Sequence, residues 1–377
     1  MNFYIKTYDL QKAIKLLSVT AKMNTNDSTG MILLKADKNN VVTFLSDNHS
    51  TALSYVSDNV DVRIPGEVAI EYGKIKSFAL SFHTWDKKQG AKDFCFKLKG
   101  SKLNISVETL HDNGEISKGS LNLRTYDPTN IRARNPFNKS NFVLNSNIFK
   151  TATNKVLYAI NPSETRPFLQ GMNINFDKEF IYFVGTNGLT LSEYKVKNIS
   201  DLNDGDFLLK YDFIMGLRRS LGEDTSIAFE FDKNEVKAMF DNVCFWGKTI
   251  IGHDFPSYKS ILESYKHSIV LDKKMLMVGL QSFVGNLNPD DNYRVTFSLK
   301  DKKMTFLHDG GTFDYSAKVN FDDEFNIDVN GKFMEQTVGV IDDDIVTVSF
   351  SDDKGVLIFD SENFKDQKAL ITPIRRR

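Results

Sequence analysis

The chain repeats one order of sequence elements three times, and this repeat restricts the folds available to it more than any other feature. The clearest copies are VTFLSDNHSTALSYV, IYFVGTNGLTLSEYKV and MTFLHDGGTFDYSAKV, at residues 42–56, 181–196 and 304–319. Each copy reads as a strand, a polar turn rich in Asn, Asp or Gly, and an alternating second strand, which is the pattern of a β-hairpin. A repeat of this kind predicts successive units that share one architecture.

The sequence on both sides of each hairpin is also repeated. Before it, strand-then-helix patterns begin at residues 2, 141 and 267; in the first, Leu10, Ala13, Ile14 and Leu17 fall on one helical face. After it come a second strand and helix, a strand pair and a final strand, given by GSLNLRTY, GKTIIGHDF and KALITPI. We therefore predict helices over residues 9–22, 71–82, 147–159, 211–221, 272–284 and 331–341.

These patterns predict an α+β chain of three similar domains, each built from two β-α-β-β-β units. The predicted domains are residues 1–130, 141–262 and 266–377, with boundaries near NIRARNPFNKSN and ILESYKHS. A chain of 377 residues with 41% hydrophobic content is long and apolar enough for this number of domains.

The middle hairpin sequence, GTNGLTL, also resembles a phosphate-binding loop. Such a loop follows a strand and precedes a helix, whereas LTLSEYKV alternates with the period of a strand. We therefore favour a hairpin over a nucleotide site.

Cysteine content and hydropathy indicate the expected compartment. Cys95 and Cys244 lie far apart in strand-like sequence, so we expect both to be reduced and buried, as in the cytoplasm. No apolar run approaches the ~18 residues that span a bilayer. The N-terminus lacks the apolar segment of a signal peptide, so we expect no membrane association.

Charge is balanced over the whole chain but not along it. Lys and Arg number 48 and Asp and Glu 49, yet the six predicted helices hold twelve basic and five acidic residues, so they carry +7 and the remainder −8. A basic surface within an acidic body favours contact with nucleic-acid phosphates that reads no base sequence. The alternative is that these are ordinary solvated helix residues. The twelve positions are Lys12, Lys15, Lys22, Lys74, Lys76, Lys150, Lys155, Arg218, Arg219, Lys273, Lys274 and Lys332.

Catalytic and metal-binding signals are weak. The six histidines lack metal-ligand spacing, and Asp342, Asp343 and Asp344 form a run typical of a turn between a helix and a strand. No Walker or GxSxG motif is present. We expect no catalytic residues, no metal and no cofactor. Two alternatives stay open: a repeat scaffold that binds only proteins, and a metal-dependent enzyme that acts on DNA.

Four motifs in order, ETRPFLQGMNINF, GTNGLTLSEYKV, GHDFPSYKSIL and ALITPIRRR, resemble the β sliding clamp of bacterial DNA polymerase III. Together with the repeat, the resemblance extends over residues 1–377, and a divergent, bacteriophage-encoded member would have such a sequence. It implies a head-to-tail homodimeric ring around double-stranded DNA, with helices lining the hole and sheets outside. It also implies a non-catalytic tether for DNA polymerase and other partners, placed on DNA by a clamp loader ATPase.

The same resemblance implies a hydrophobic pocket that binds a short peptide from each partner. The matching positions are Leu169, Thr186, Gly188, Leu191, Pro256, Ile261, Leu370, Thr372, Pro373 and Ile374. This chain departs from the family where Leu189 and Thr190 follow the turn glycine, where Thr372 replaces a usual Met, and in its Arg375–Arg376–Arg377 end. These departures leave the preferred peptide open.

For the dimer interface, the resemblance pairs the end of the first domain with the first helix of the third. The matching residues are Leu121 and Leu123 on one side and Phe283 and Val284 on the other. The alternative is that all four belong to the internal core.

Overall fold

The structure is a computed structural model that describes the chain except for residues 24, 26, 83–92, 111–113, 199–204, 233, 251–253, 302, 309–310, 316–320, 322, 353–354, 362 and 376–377. At residues 110, 283 and 315 it describes the backbone alone. Three of the six histidines, Asp309, Arg376 and Arg377 therefore lie outside the described residues.

The described residues form seven α-helices and twenty-five strands. The helices are α1 (Thr7–Leu17), α2 (Tyr72–Ser81), α3 (Ser146–Val156), α4 (Tyr211–Ser220), α5 (Lys259–Leu262), α6 (Lys273–Val284) and α7 (Gly331–Gly339). The first nine strands are β1 (Asn2–Ile5), β2 (Met31–Asp37), β3 (Val41–Asp47), β4 (Thr51–Ser57), β5 (Val60–Ile64), β6 (Gly66–Glu71), β7 (Phe94–Lys99), β8 (Lys102–Leu110) and β9 (Ile116–Arg124).

The middle and last thirds contain the other sixteen described strands. In the middle third they are β10 (Phe142–Asn145), β11 (Gly171–Phe176), β12 (Phe180–Thr186), β13 (Thr190–Lys197), β14 (Gly205–Lys210), β15 (Ser226–Phe231), β16 (Glu235–Phe240) and β17 (Val243–Lys248). In the last third they are β18 (His267–Asp272), β19 (Arg294–Lys300), β20 (Lys303–His308), β21 (Gly311–Tyr315), β22 (Phe325–Asn330), β23 (Ile345–Phe350), β24 (Leu357–Ser361) and β25 (Gln367–Ile371).

All six predicted helices are present, and the α+β class is confirmed. Helix α1 begins two residues before its predicted start and ends at Leu17, five residues before its predicted end. Its apolar face of Leu10, Ala13, Ile14 and Leu17 is fully buried, as the helical spacing predicts. The short helix α5 was not predicted.

One predicted strand is wrong. The final strand of the middle third is Val243–Lys248 and not GKTIIGHDF, because the chain reverses at Asp241, whose φ is +45°, and VCFW then pairs at once with β16.

The four sheets show how the repeats join. One eight-stranded sheet has the order β10-β15-β16-β17-β4-β3-β2-β6, and the other has the order β14-β11-β12-β13-β25-β24-β23-β18. Each joint therefore uses equivalent strands: the second hairpin strand of one repeat (β4 or β13) pairs antiparallel with the final strand of the next (β17 or β25). The third second-hairpin strand, β21, lies at the end of the sheet β21-β20-β19-β22. The third final strand, β9, lies at the end of the sheet β5-β1-β7-β8-β9.

The chain forms two compact units, and the middle third contributes to both. The first unit comprises residues 1–147 and 212–249, and the second comprises residues 148–211 and 250–377. The core of the second includes Leu276, Phe297, Phe306, Val329 and Val348, all fully buried. The boundaries of the three domains remain a prediction.

The predicted boundary segment after the first domain is packed against a sheet of the first unit. We call residues 131–138 the connecting strap. Arg134 in the strap forms ion pairs with Asp47 at 2.8 Å and Glu235 at 3.5 Å, and Trp246 donates its indole N–H to the Asn135 carbonyl at 2.8 Å. These partners lie on β3, β16 and β17, so the strap spans the β4–β17 joint.

Candidate functional site

The middle hairpin confirms the β-turn interpretation of GTNGLTL and contradicts the nucleotide alternative. Strands β12 and β13 pair antiparallel, and a strand follows the turn where a phosphate loop needs a helix. Asn187 Oδ1 accepts hydrogen bonds from Leu189 N and Thr190 N, both at 2.9 Å. Gly188 has φ of +86°, and a Cβ there would lie 3.0 Å from the guanidinium of Arg166, so both the backbone and the neighbour favour glycine.

The turn sends two leucines in opposite directions. Leu191 is buried and pairs across the β13–β25 joint with Leu370, while Leu189 is 55% exposed. Leu191 and Leu370 belong to one apolar cluster, which we call the pocket cluster. Its buried members are Val184, Leu191, Tyr258, Leu262, Ile358 and Leu370, and Tyr182, Phe255 and Val356 pack against it.

A groove of about 770 Å³ lies beside the pocket cluster and shares Val356 with it. The groove is lined by Leu189, Asn292, Tyr293, Asn330, Phe333, Val356, Thr372, Pro373, Ile374 and Arg375. Backbone contacts hold the terminal segment in place: Leu189 O accepts from Thr372 N at 2.9 Å, and Asp328 O accepts from Ile374 N at 2.7 Å. A volume of this size, with apolar walls and a few polar groups, suits a peptide side chain or small ligand.

The rim of the groove is basic. Arg375 lines it, and Lys332 Nζ lies 3.7 Å from the ring centroid of the lining residue Tyr293. Arg166, which pairs with Glu164 at 3.4 Å, stands over Gly188 beside exposed Leu189. An apolar ligand that carries a carboxylate would meet complementary charge here.

The structure brings together most of the ten predicted pocket residues. Leu191 and Leu370 lie in the pocket cluster, and Thr372, Pro373 and Ile374 line the groove. Thr186 and Gly188 shape the turn, since Gly188 N donates to Thr186 Oγ1 at 3.1 Å.

The other three predicted pocket residues lie outside the groove lining and the pocket cluster. Pro256 and Ile261 are exposed on the segment that holds Tyr258 and Leu262. Leu169 is buried in a 3₁₀ turn at Pro167–Leu169.

Several residues of the pocket cluster and the groove were missed from the sequence. Tyr258, in the pocket cluster, lies between the predicted residues Pro256 and Ile261 in FPSYKSIL, and this position within a predicted motif was the available signal. Tyr293 and Phe333, which line the groove, lie outside all four motifs of the resemblance, and only folding brings the start of β19 and helix α7 to the C-terminal segment.

The twelve predicted DNA-contacting residues differ in exposure. Lys15, Lys22, Lys74, Arg219 and Lys274 are exposed, although Lys22 lies beyond the end of α1 and Lys74 pairs with Glu71 at 2.9 Å. Half-buried positions are Lys12, Lys76, Lys150, Arg218, Lys273 and Lys332.

Two of these lysines are engaged inside the second unit. Lys155 is a correction to the prediction: it is buried, its ammonium lies 2.7 Å from Asp342, and it donates to Val340 O, so it offers no cation to a phosphate. Lys273 donates to the carbonyls of Gly339 and Ile341, and burial, followed by the charge of Lys155, lowers its pKa. Both cap the C-terminal carbonyls of α7, where cations are favoured.

The predicted dimer residues also need correction. Leu123 and Val284 are buried within their own units and present no side chain to a partner. Leu121 is half-buried on β9, and the side chain of Phe283 lies outside the described residues. Because β9 lies at the end of its sheet, its strand edge is the feature on which an interface could form.

The described residues offer neither a metal centre nor a membrane anchor. They contain no group of three or more His, Cys, Asp and Glu side chains arranged to hold a metal ion. None of their helices is long and apolar enough to span a membrane.

Comparisons with known proteins agree with this architecture. Residues 143–257 match the family model described as the central domain of the DNA polymerase III beta subunit. The chain is 21% identical over 319 residues to the beta sliding clamp of Buchnera aphidicola subsp. Rhopalosiphum padi, covering 83% of this chain and 82% of that one.

Two crystal structures from Pseudomonas aeruginosa have the same fold over 100% of both chains. The DNA polymerase III subunit beta superposes with a TM-score of 0.87 at 16% identity. The sliding clamp bound to griselimycin superposes with a TM-score of 0.84 at 15% identity. Residues 143–257 therefore match the central domain of the DNA polymerase III beta subunit, and the whole chain is similar in fold to bacterial beta sliding clamps.

Proposed function

We propose that this protein is a DNA polymerase processivity factor, a ring-shaped sliding clamp that encircles double-stranded DNA. The observation that carries this proposal is the use of equivalent strands at both joints between repeats. The pairs β4–β17 and β13–β25 leave β21 and β9 as the third pair, each at the end of its sheet.

A second copy of the chain provides the partner that each of these edges needs. When β21 of one copy pairs with β9 of the next, the contact is head-to-tail, and two such contacts close a homodimeric ring. Antiparallel pairing also covers two strand edges that would otherwise promote irregular association. We infer the interface from these backbone edges, in place of Leu123 and Val284.

A closed ring holds DNA by topology, so it needs little affinity and no base recognition. Exposed cations such as Lys15, Arg219 and Lys274 would meet phosphates through long-range attraction without stalling movement. The protein would act without catalysis, in the cytoplasm of a bacterium or a phage-infected cell, and a clamp loader ATPase would open the ring.

The groove and the pocket cluster would bind a short apolar peptide of DNA polymerase or another partner. Their support is the partly exposed surface of Leu189, Ile374 and Val356 beside a buried floor of Leu191 and Leu370. Because the related Pseudomonas aeruginosa clamp binds griselimycin, we also propose that griselimycin binds this groove and competes with partner peptides.

The test combines solution shape with retention on DNA. Small-angle X-ray scattering should give twice 42.9 kDa and a hollow particle. The protein, loaded onto nicked circular DNA, should stay bound in high salt and be released when the circle is linearised. A compact monomer that shows no such retention would refute the clamp.

The same experiments separate the two alternatives. A scaffold that binds only proteins would show no difference between circular and linear DNA. A metal-dependent enzyme would cleave DNA when Mg²⁺ or Mn²⁺ is added and EDTA would stop it.

A further inference from the structure

Residues 255–262 form one side of the pocket cluster, yet this segment has little regular structure of its own. Its only helix, α5, is four residues long, too short to be stable alone. Its internal backbone hydrogen bonds include those from Ile261 N and Leu262 N to Tyr258 O, at 2.9 and 3.2 Å. Contacts with neighbouring strands must therefore determine its position.

One of these contacts is a buried hydrogen bond to a carboxylate. Tyr258 donates its phenol to Glu193 Oε2 at 2.6 Å, and both side chains are more than nine-tenths buried. Burial, followed by the charge of Glu193, raises the pKa of Tyr258, so the phenol remains a donor at all ordinary pH values. A hydrogen bond to an ionised acceptor is stronger than a neutral one, and without it the buried carboxylate would be costly.

The carboxylate is directly connected to the binding surface. Glu193 lies on β13 two residues after Leu191, so the two side chains share one face of the strand. Phe255 packs edge-on against the Tyr258 ring with centroids 6.1 Å apart, and Leu262 joins the pocket cluster. Pro256 and Ile261, between these anchors, are exposed, Ile261 by 43%.

We infer that Glu193 and Tyr258 are a positioning pair that holds residues 255–262 against β13, so that the segment keeps one wall of the peptide site in place. This inference rests on the proposed function, because it concerns the same site. Neither residue need touch the bound peptide. The pair acts through the pocket cluster, to which Tyr258 and Leu262 belong and against which Phe255 packs.

The experiment compares Tyr258→Phe with Glu193→Gln and the double variant Tyr258→Phe/Glu193→Leu, with exposed Tyr265→Phe as the matched control. Griselimycin is the probe, with affinity measured by titration calorimetry. Hydrogen exchange of peptides covering residues 255–263 reports the segment directly, and thermal unfolding reports stability.

Tyr258→Phe should weaken griselimycin binding about tenfold, the scale of a hydrogen bond to a charged group, and should accelerate exchange in the segment. Glu193→Gln keeps an acceptor for the phenol and should bind within about twofold of the parent. The double variant removes the buried charge and should regain stability while its affinity stays low. Tyr265→Phe should match the parent.

Two results would overturn the inference: unchanged exchange and affinity in Tyr258→Phe, or affinity that recovers together with stability in the double variant. The second would mean that the pair only stabilises the fold. If the parent chain itself fails to bind griselimycin, the proposed ligand of the groove is wrong, and exchange in Tyr258→Phe still decides whether the pair holds the segment.

Discussion

Replacing Arg134 with alanine should destabilise the first unit strongly, because the connecting strap is held by a buried ion pair. The Arg134 and Asp47 side chains are 5% and 3% exposed, and their closest N–O contact is 2.8 Å. Arg134 Nε also donates to the same carboxylate oxygen at 2.9 Å, and Glu235 lies 3.5 Å from Nη1. The substitution leaves one fully buried carboxylate and a second, largely buried one without their cation.

Removing one partner of a buried pair costs about 3–5 kcal/mol, mainly because the remaining charge stays desolvated. For a unit of 150–250 residues, each kcal/mol lowers the melting temperature by roughly 2–4 °C. We therefore expect a fall of roughly 6–20 °C. The exposed pair between Arg63 and Asp61, at 3.3 Å, provides the control, and Arg63→Ala should cost at most about 1 kcal/mol.

Trp246 provides a local probe of this transition, since its indole donates to the strap at Asn135. The chain has two tryptophans, so all variants would be made with Trp85 replaced by phenylalanine, and unfolding would be followed by Trp246 fluorescence. A decrease in melting temperature in Arg134→Ala no larger than in Arg63→Ala would refute the reasoning. It would mean that the strap lies on the sheet without holding it.

Three further predictions test the site and the pH dependence. Ile374→Ser and Leu191→Ser should each abolish stimulation of the polymerase, with the larger loss in Leu191→Ser, while scattering shows an unchanged dimer. The control Ile64→Ser, at an exposed position of the first unit, should have no effect. Alanine substitution of the exposed cations Lys15, Lys22, Arg219 and Lys274 should make the DNA-binding constant less dependent on salt. The slope of log K against log salt concentration should decrease in magnitude by roughly 0.9 for each phosphate that the protein no longer neutralises. Lys155→Met should lower stability and leave that slope unchanged. The backbone N–H of Asn363, followed by the Ser361 hydroxyl, holds the pKa of Asp343 well below its usual range. Its stabilising contribution is therefore complete above about pH 5 and disappears as the pH falls. Melting curves of Asp343→Asn should show a smaller acid-induced decrease than those of the parent.

The elements that were predicted correctly depend on short-range patterns. Each hairpin and each long helix is specified by residues within about twenty positions, through alternation, helical spacing and turn chemistry, and α1 shows how well an apolar face locates a helix. Leu191 and Ile374 were predicted through resemblance to a family, each from one short contiguous motif, and they lie in the pocket cluster and the groove lining.

The incorrect predictions have a common physical origin in distant contacts. Lys155 has the sequence context of a solvated helix lysine, yet Val340 and Asp342, far along the chain, bury and neutralise it. Leu123 and Val284 are apolar residues that could cover an interface or fill a core, and packing placed both in the core.

The amino-acid sequence by itself therefore determined the order of elements and the threefold repeat, because local backbone preferences and hydrophobic periodicity act over a few residues. Only the tertiary structure decided which strand edges join, which lysines remain exposed, and that Tyr293, Phe333 and the C-terminal segment line one groove. Those outcomes depend on burial and on hydrogen-bond partners that are brought together from distant parts of the chain.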